Sequence, residues 1–377
     1  MNKILIITSV ASMVDQFLIP NIRMLQEMDY EVHVACNFEK GSTCSAERIT
    51  ELKQKLNRWN VTYHQVDFNR RVSRFSDNYQ AYKQVVRLIS DNHYQIIHCH
   101  SPIGGLITRI AGRKERRCGT KMFYTAHGFH FYKGAPLLNW LLYYPVEKIC
   151  AHFTDVLITI NREDYVLAKK KMKAKKIAYV PGVGVDTERF CGTSAEVAAK
   201  RQELGIPEDA IVMLSVGELN KNKNHETVIQ AVAGMNVYYI IAGKGGMQGH
   251  LQKIIDRLQL RDRVKLLGFR KDVSELYTAA DLFVFSSFRE GLPVALMEAM
   301  ACGKPVCCSR IRGNTDLVDE KGGEMFDPHS VESCARALRT VLAGNLESMG
   351  QHNLEVIQEF SLDAVNEKMK QLYTREG

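Results

Sequence analysis

Short apolar runs alternate with longer segments of mixed polarity along the first half of the chain. The runs are nearly continuous and rich in β-branched and aromatic residues, which is typical of strands buried on both faces of a parallel sheet. Six of them are KILIIT, EVHVAC, YQIIHCH, KMFYTAH, DVLITI and KIAYVP. The second half repeats the pattern with IVMLSVG, VYYIIAG, VKLLG, LFVFSS and PVCCS. Two such blocks predict an α/β protein with two doubly wound domains.

The interruption between the blocks lies in VPGVGVDTERF, residues 180–190, where Pro181, Gly182 and Gly184 break any regular element. We therefore expect an N-terminal domain over residues 1–183 and a C-terminal domain over 184–358. The length of 377 residues agrees with two domains, because one hydrophobic core rarely serves so long a chain. Residues 359–377 predict a C-terminal helix that belongs to either domain, with a return to the first as one option.

The composition is that of a soluble globular protein, with 45% hydrophobic and 24% charged residues. The apolar N-terminal run is broken by Thr8, Ser9 and Ser12, so it predicts a first strand rather than a signal peptide. No run approaches the roughly 20 apolar residues of a membrane-spanning helix. The ten cysteines show no metal-ligand spacing. We therefore expect reduced thiols in the cytoplasm.

The formal net charge is +8, and the basic excess lies entirely in the first half. Residues 1–190 hold 28 Lys and Arg against 17 Asp and Glu, whereas the remainder holds 22 against 25. The basic clusters are Arg70, Arg71 and Arg74; Arg113, Lys114, Arg116 and Arg117; and Lys169, Lys170, Lys171, Lys173, Lys175 and Lys176. Two interpretations stay open: a solvated surface, or an anionic partner such as nucleic acid or acidic lipid. Nucleic acid is disfavoured because the clusters are not interleaved with aromatic residues in any known module.

Small or polar residues stand at or just after several predicted strand ends. They are Ser9, His100, His127, Gly217, Gly243 and Glu290. Ligands of open α/β sheets bind beyond the carboxyl ends of the strands, so these residues predict a cleft between two facing sheets. We interpret His98 and His100 as alternating along one strand, with only one of them facing the cleft. A metal-binding pair is therefore not expected there.

The segment FREGLPVALMEAMACGKP, residues 288–305, places Glu290 in a loop and Glu298 inside an apolar helix that begins at Pro293. A carboxylate in such surroundings requires hydrogen-bonding partners, and the vicinal hydroxyls of a ribose supply two. Gly291 permits close approach of the backbone, and the free amides at the helix start favour phosphate. The pattern predicts phosphate at the helix start, ribose on Glu298, and Glu290 facing the group that the phosphate carries. A capped helix with one satisfied glutamate is the alternative.

The segment EGLPVALMEAMACGKPV resembles the signature of glycosyltransferase family 4, whose members are retaining enzymes with the GT-B fold. The segments YTAHGFHFYKG and VPGVGVDTERF are similar to the family's N-domain histidine loop and its inter-domain linker. LSVGELNKNKNHETVIQA and YYIIAGKG are similar to its donor-phosphate strand and the strand that follows. The resemblance runs from residue 3 to about 330. The first half is most similar to bacterial exopolysaccharide and capsule members.

This resemblance implies three residues that act on the reacting groups. Glu290 would contact hydroxyls of the donor sugar, and His127 would lie beside that sugar near the reacting centre. Lys223 would neutralise the diphosphate leaving group, although a solvated lysine is the alternative. Basic side chains and helix amides stabilise developing negative charge in this fold, so we expect no metal and no other cofactor.

The resemblance also implies a donor site in the second domain and an acceptor site in the first. The donor-site candidates are Glu298 for the ribose, Gly291 and Leu292 for the distal phosphate, Arg270 and Val273 for the nucleobase, and Gly217 and Gly243 as further donor-binding residues. The acceptor-side candidates are Ser9 and His100.

Two positions depart from the family pattern. Glu218 stands where many relatives have the arginine of VGRL, so phosphate binding would depend on Lys223, on helix amides, or on another base such as Lys221 or Arg289. The loop after the first strand reads TSVASMVDQF rather than a di-glycine sequence. The family's acceptor contacts in that loop are therefore in question.

These observations predict a cytoplasmic, retaining glycosyltransferase that is peripheral on the inner face of the plasma membrane. It would move a sugar from a nucleotide donor, preferably UDP-linked, to a polyprenyl-diphosphate-linked saccharide in cell-surface polysaccharide synthesis. The anionic membrane surface would attract the basic first half. The segment PLLNWLLYYPVEKI, with Trp140, Tyr143 and Tyr144, either belongs to the core or adds an interfacial aromatic contact.

Two other functions are compatible with this fold. A UDP-sugar 2-epimerase would bind the same donor without an acceptor, but the two-glutamate helix and the histidine loop disfavour it. A non-catalytic partner subunit is disfavoured because both His127 and Glu290 are present.

Overall fold

The structure is a computed structural model that describes residues 2–42, 44–69, 74–188 and 194–376. Arg70 and Arg71 of the first basic cluster lie outside the described residues. The chain divides into two compact units, Met1–Val183 with Val365–Gly377, and Gly184–Ala364. Each unit is described by itself.

A seven-stranded sheet forms the centre of the first unit, in the order β3-β2-β1-β4-β5-β6-β7, and all its pairs are parallel. The strands are β1 (Asn2–Val10), β2 (Tyr30–Asn37), β3 (Thr62–Gln65), β4 (Ile96–His100), β5 (Lys121–Ala126), β6 (Val156–Thr159) and β7 (Lys176–Tyr179). The helices are α1 (Ala11–Met13), α2 (Ile19–Glu27), α3 (Ala46–Arg58), α4 (Phe75–Asn92), α5 (Pro102–Ala111), α6 (Arg113–Arg117), α7 (Leu137–Ala151) and α8 (Arg162–Lys171). A π-helical segment, Val14–Leu18, joins α1 to α2.

The first strand is buried on both faces of this sheet. Ile4 and Ile6 belong to one hydrophobic cluster, whereas Leu5 and Ile7 belong to another. Successive side chains of a strand point to opposite faces, so a continuous apolar run fills both layers. The prediction of a doubly wound parallel sheet is confirmed here.

The second unit contains a six-stranded parallel sheet in the order β10-β9-β8-β11-β12-β13. Its strands are β8 (Val212–Val216), β9 (Tyr238–Ala242), β10 (Val264–Gly268), β11 (Leu282–Phe285), β12 (Val306–Ser309) and β13 (Gly323–Phe326). The helices are α9 (Ser194–Glu203), α10 (His225–Ala231), α11 (Gln248–Arg257), α12 (Val273–Ala279), α13 (Val294–Ala301), α14 (Asn314–Leu317), α15 (Val331–Ala343) and α16 (Leu346–Val356). Short 3₁₀ turns occur at Lys221–Lys223, Val232–Gly234 and Ile357–Phe360.

Each sheet has one point at which the strand order reverses. In the first unit the reversal lies between β1 and β4, and in the second it lies between β8 and β11. The chain leaves such a pair of strands in opposite directions, which opens a crevice at their carboxyl ends where ligands of this fold class bind.

The pattern of apolar runs does not predict two of the strands, β3 and β13. Their sequences, TYHQ and GEMF, contain few continuous apolar residues. Both lie at an edge of their sheet, where one side of the strand has no neighbour and polar side chains are tolerated.

The last helix, α17 (Leu362–Glu376), begins in the second unit and continues in the first. Val365, Met369, Leu372 and Tyr373 belong to the hydrophobic core of the first unit. Residues of α17, which follow the whole second unit in the sequence, therefore complete the core of the first unit.

The aromatic residues of α7 belong to the core of the first unit. Trp140, Tyr143 and Tyr144 are partly buried and pack against the cluster that contains Phe131. The indole of Trp140 lies 5.5 Å from the ring of Phe131, and its N–H donates to the Tyr132 carbonyl oxygen at 3.3 Å. Of the two interpretations of this segment, the packing supports the core for its aromatic residues.

None of the helices in the described ranges is long and apolar enough to cross a membrane. The nine cysteines in those ranges are free thiols, and six of them are buried. Burial raises the pKa of Cys99 and of Cys308 to about 12, so these thiols behave as small apolar groups.

Candidate active site

An ion pair lies at the reversal point of the second unit's sheet. Lys223 follows β8 and Glu290 follows β11, the two strands between which the order reverses. The ammonium of Lys223 lies 2.9 Å from Glu290 Oε1 and 4.7 Å from the centroid of the Phe285 ring. The two side chains are 21% and 17% exposed, so both charges remain accessible to a ligand.

Backbone contacts join the loops that carry the two charges. Asn220 Oδ1 accepts a hydrogen bond from Lys223 N at 3.0 Å, and Ser286 Oγ donates to the Lys223 carbonyl oxygen at 2.9 Å. The amide of Phe288 donates to the Asn222 carbonyl oxygen at 2.8 Å. Because the lysine loop is tied to the glutamate loop at several points, Lys223 is pre-positioned rather than free to sample solvent.

Exposure distinguishes the cations that could replace the family arginine. Lys221 and Arg289 are exposed, as is Glu218 at the arginine's position, whereas Lys223 is half-buried. A further base, Arg312, was not predicted. It is 7% exposed, and its Nε donates to the Glu290 carbonyl oxygen at 3.1 Å. Arg312 follows shortly after β12, so the strand-end rule applied to that strand would have found it.

We call Lys223, Glu290 and Arg312 the lysine–glutamate site. Glu290 is held at two points: the Lys223 ammonium pairs with its carboxylate, and the Arg312 guanidinium donates to its backbone carbonyl oxygen. Two basic side chains therefore contact this residue, and cations at such a position suit a diphosphate.

Glu298 lies inside α13 and is paired with a tyrosine. The Tyr277 hydroxyl lies 3.0 Å from Glu298 Oε2 and 2.9 Å from the Ala295 carbonyl oxygen. Burial, followed by the Glu298 charge, raises the pKa of Tyr277 well above its ordinary value, so this hydroxyl keeps its proton. Glu298 is half-buried. The helix begins at Val294, one residue later than predicted.

Close backbone approaches explain the glycines at these strand ends. A Cβ atom on Gly243 would lie 1.8 Å from the Gly217 carbonyl oxygen, and one on Gly313 would lie 2.3 Å from the Gly291 carbonyl oxygen. Only glycine fits such contacts. Leu292, which follows Gly291, is buried. The predicted donor contacts of Gly217, Gly243, Gly291 and Leu292 stay predictions.

Arg270 takes part in an ion-pair network at the start of α12. Its guanidinium pairs with Asp272 and, at 2.6 Å, with Glu203, while Lys200 lies 2.8 Å from Asp272. A hydrogen bond from the Arg270 guanidinium lowers the pKa of Asp272. Burial acts in the opposite direction, and a hydrogen bond from Lys200 lowers the pKa further. These contacts tie α9 to α12. The nucleobase role of Arg270 and Val273 stays a prediction.

Three histidines meet at the carboxyl ends of β4 and β5 in the first unit, and we call His98, His100 and His127 the histidine site. His100 Nδ1 lies 3.0 Å from His127 Nε2. The rings of His98 and His100 lie 4.2 Å apart, and both side chains line the same pocket. The expectation that only one of this pair faces the pocket is therefore wrong. Residues two apart in a strand point to the same face.

The histidine site is electrically neutral at physiological pH. Burial lowers the pKa of His98 to about 3 and that of His127 to about 4, and it lowers the pKa of His100 well below its ordinary value. His98 is fixed by Tyr373, whose hydroxyl lies 2.6 Å from Nδ1, and by Thr125, whose hydroxyl lies 2.8 Å from Nε2. Neutral imidazoles both donate and accept hydrogen bonds, which suits sugar hydroxyls.

Ser9 lies at the reversal point of the first sheet. Its hydroxyl lies 2.7 Å from Ser101 Oγ and accepts a hydrogen bond from the Gly104 amide at 3.1 Å. These bonds fasten β1 to the start of α5. The chain passes from β1 directly into α1, without a glycine loop. The acceptor roles of Ser9 and His100 stay predictions.

The pocket of the first unit opens beside the histidines. Its lining residues are Phe17, Leu18, Pro20, Asn21, His98, His100, Thr125, His127, Ile158, Ile160, Val180, Gly182, Val183, Val365, Asn366 and Met369. The pocket is therefore lined by apolar residues together with a few polar groups, a composition typical of small-molecule sites. Within the described ranges, no three His, Cys, Asp or Glu side chains are grouped to hold a metal ion.

Two family models match the two halves of the chain. The model for Glycosyltransferase Family 4 matches residues 21–189, and the model for glycosyl transferases group 1 matches residues 196–354. A Bacillus subtilis protein named putative glycosyltransferase EpsD is 34% identical over 99% of this chain and 96% of its own length. The chain belongs to glycosyltransferase family 4, and it is an enzyme of the hexosyltransferase class.

An Escherichia coli relative is named UDP-Gal:α-D-GlcNAc-diphosphoundecaprenol α-1,3-galactosyltransferase. It is 29% identical over 76% of this chain and 77% of its own length. Among solved structures, Anabaena HepE in complex with UDP and glucose aligns with a TM-score of 0.80 at 20% identity, covering 99% of this chain and 100% of its own. Sucrose-phosphate synthase from Thermosynechococcus elongatus aligns with a TM-score of 0.79 at 18% identity, covering 100% of this chain and 99% of its own. These two likenesses confirm the GT-B fold.

Proposed function

We propose that this enzyme transfers a hexose from a UDP-sugar to a polyprenyl-diphosphate-linked saccharide, with retention of configuration, in cell-surface polysaccharide synthesis. The observation that carries the proposal is the Lys223–Glu290 ion pair at the reversal point of the second unit's sheet. The name of the Escherichia coli relative, which gives both a UDP-sugar and a diphosphoundecaprenol acceptor, supports the two substrate classes.

The lysine–glutamate site matches the charge that develops during transfer. When the bond between the anomeric carbon and the diphosphate oxygen breaks, the electron pair stays on the leaving diphosphate. A fixed ammonium beside that group stabilises the transition state more than the ground state. Glu290 holds the ammonium in place before the donor binds, and its carboxylate is a natural acceptor for sugar hydroxyls.

Glu298 supplies the second part of the donor site. One oxygen of its carboxylate lies against the Tyr277 hydroxyl, which fixes the side chain within α13. A half-buried carboxylate with a fixed orientation suits the two vicinal hydroxyls of a ribose. Transfer proceeds without a metal in this proposal, because Lys223 and the amides at the start of α13 carry the leaving charge.

Thermal unfolding with UDP tests the donor site. UDP at about 100 times its dissociation constant should stabilise the folded enzyme by roughly 2.7 kcal/mol, both with and without EDTA. UMP and ADP serve as comparisons for the diphosphate and the base. If no nucleoside diphosphate shifts the unfolding temperature, the proposed donor site is wrong. If EDTA abolishes the shift, the proposal of a metal-independent enzyme is wrong.

Product analysis tests the reaction. Incubation of the enzyme with UDP-sugars and a polyprenyl-diphosphate-linked saccharide should give a glycoside that keeps the donor's anomeric configuration, as measured by NMR. An inverted linkage would contradict the retaining mechanism. Release of free ManNAc from UDP-GlcNAc without an acceptor would instead identify an epimerase.

The basic first half is proposed to hold the enzyme at the anionic inner face of the plasma membrane, in the cytoplasm. Residues 1–190 carry 28 Lys and Arg against 17 Asp and Glu, and such an excess is attracted to acidic lipid within a Debye length. Binding to anionic vesicles should exceed binding to neutral ones and should weaken with salt. Equal binding to both kinds of vesicle would indicate that the basic clusters are only a solvated surface.

A further inference from the structure

Exposed apolar side chains are concentrated on one helix of the first unit. Of the nine large hydrophobic residues that are exposed in the described ranges, six lie on α7. They are Leu137 (80% exposed), Leu138 (62%), Leu141 (72%), Leu142 (56%), Val146 (37%) and Ile149 (60%). Single exposed hydrophobic residues are ordinary, but a contiguous set marks a surface that something covers.

The opposite side of α7 is also apolar. Trp140, Tyr143 and Tyr144 pack against the core of the first unit, so the helix has apolar residues on both its inner and its outer side. A helix that is hydrophobic all round is normally buried all round. Since the core covers only one side of α7, the other side requires a second apolar environment.

The charged residues of α7 are arranged to keep the outer side free of negative charge. Glu147 is its only acidic residue, and it is buried. Its carboxylate lies 2.9 Å from Arg109 Nη2 and 3.0 Å from the Tyr124 hydroxyl. Lys148 is exposed beside Ile149, so the only charge among the exposed residues of this helix is positive.

Basic residues also flank both ends of α7. At its carboxyl end, Arg116 of α6 donates to the His152 carbonyl oxygen at 3.3 Å. This contact places the exposed Arg113, Lys114 and Arg117 of the same short helix nearby.

At its amino end, the exposed Lys133 precedes α7 by four residues. The Lys133 amide donates to Glu163 Oε1 at 3.0 Å, which ties this end to α8. Lys169, Lys170 and Lys171 are exposed in the last turn of α8, at the opposite end of that helix from Glu163. Leucines between basic residues, here Lys133 before α7 and the basic residues of α6 near its end, form the pattern of a helix that lies in a membrane interface.

We infer that the outer side of α7 inserts into an anionic lipid leaflet, with its leucines among the acyl chains and its basic flanks on acidic headgroups. This inference rests on the membrane association proposed above and names the element that makes it. It also differs from the sequence-based expectation, because leucines rather than the aromatic residues contact the lipid. Charge complementarity favours a lipid surface over a second copy of this chain, whose α7 would bring like charges together.

Vesicle partitioning of paired variants tests the inference. In the double variant Leu141→Asn/Leu142→Asn, two apolar side chains are lost without any change of charge. Its partition onto vesicles of phosphatidylcholine and phosphatidylglycerol should fall by about 10-fold or more, because less apolar area enters the leaflet. Phe269→Asn is the matched control, since Phe269 is 64% exposed but belongs to the second unit, and it should partition like the wild type.

Fluorescence locates the contact. The chain has two tryptophans, so Leu138→Trp in a Trp59→Phe/Trp140→Phe background places the single reporter on the outer side of α7. Lipids brominated on their acyl chains should quench this tryptophan, and the quenching should disappear when Leu141→Asn/Leu142→Asn is added. Wild-type partitioning of the double variant, or absence of quenching, would overturn the inference.

Two measurements separate this inference from its rivals. If the lipid-free wild type sediments as a dimer and the double variant as a monomer, a second copy covers the leucines and the inference fails. The double variant should retain the thermal shift with UDP, because Leu141 and Leu142 lie outside the donor site. If UDP stabilises neither protein while the tryptophan of Leu138→Trp is still quenched, the donor proposal fails and the membrane contact stands.

Discussion

The two strand-end sites handle charge in opposite ways. In the second unit, the lysine–glutamate site keeps its charges: Lys223 and Glu290 are half-buried, and their charged atoms lie 2.9 Å apart. In the first unit, burial removes charge from the histidine site, where the pKa of His98 is lowered to about 3 and that of His127 to about 4. Both sites occupy the carboxyl ends of central strands, so the topology alone does not produce the difference.

The difference follows from what surrounds each group. Lys223 stands on a short turn beyond β8 and meets a carboxylate, which stabilises the ammonium. His98 and His100 lie within β4, between neighbouring strands and under α17, where desolvation disfavours the imidazolium. A charged site suits a diphosphate, and a neutral, hydrogen-bonding site suits hydroxyls. The fold therefore offers one kind of environment in each unit.

The largest effect is expected from Lys223→Ala. Loss of one pre-positioned cation should lower kcat by about 10²–10³-fold, because the leaving diphosphate loses its stabilising charge. Lys221→Ala is the matched control, since Lys221 lies on the same turn but is exposed, and it should cost much less. Steady-state kinetics on one donor measures both.

Arg312→Ala and Arg289→Ala complete this series. A full-rate Lys223→Ala enzyme beside an inactive Arg312→Ala or Arg289→Ala enzyme would show that a different cation neutralises the diphosphate. Arg312 is the stronger rival, because its guanidinium already contacts the Glu290 backbone.

Glu290→Ala and His127→Ala test whether both sites serve one reaction. Each should reduce turnover by at least about 100-fold while leaving the thermal unfolding of the enzyme close to that of the wild type. Turnover of each purified variant is compared with its thermal unfolding. Near-wild-type turnover in both variants would show that neither Glu290 nor His127 is needed for the reaction.

Glu298→Ala is expected to act on binding rather than on chemistry. Removal of the ribose partner should weaken UDP binding by about 10-fold or more, since the hydrogen bonds to a charged group are worth roughly 1.5–3 kcal/mol. Tyr277→Phe should have a smaller effect, because it removes only the group that orients the carboxylate. Titration calorimetry with UDP measures both; an unchanged dissociation constant in Glu298→Ala would place the ribose elsewhere.

The smallest predicted effect is a pH dependence that comes from the histidine site. An unfolded histidine takes up its proton near pH 6.5, whereas folded His127 does so at about pH 4. Between these values the unfolded chain binds more protons, so the stability of the folded enzyme falls as the pH is lowered from about 6.5 toward 4.

His127→Gln should reduce the loss of unfolding free energy between pH 7.5 and pH 5.5 by about 1 kcal/mol. Denaturant titrations at the two pH values measure this loss. His152→Gln is the control for the removal of an exposed histidine side chain. A loss in His127→Gln equal to that of the wild type would contradict a neutral His127.

The sequence predicts the central strands well. It predicts the edge strands, and contacts between residues distant in the sequence, poorly. Continuous apolar runs such as KILIIT identify strands that are buried on both faces, but the edge strands TYHQ and GEMF carry no such signal. The segment EGLPVALMEAMACGKPV indicates Glu290 and Glu298 as candidate site residues. It does not identify Tyr277, which lies twenty-one residues earlier and reaches Glu298 only through packing of α12 on α13.

The histidine pair shows a different limit. The two-residue spacing of His98 and His100 was sufficient to place both on one face, and the error lay in the interpretation of the pattern. Their neutrality was not predictable, because it depends on Tyr373 and on neighbouring strands far away in the sequence. Arg312 was overlooked although it follows a predicted strand.

The path of α17 has a consequence for synthesis of the protein. Residues 365–376 are made after the whole of the second unit, yet Met369, Leu372 and Tyr373 fill the core of the first unit. The nascent first unit must therefore wait, with its β4 histidines uncovered, until α17 has been made. The second unit, 184–364, has all of its residues before then. Of the two units, the first is thus expected to complete its folding later, although domains usually fold in the order in which they are made.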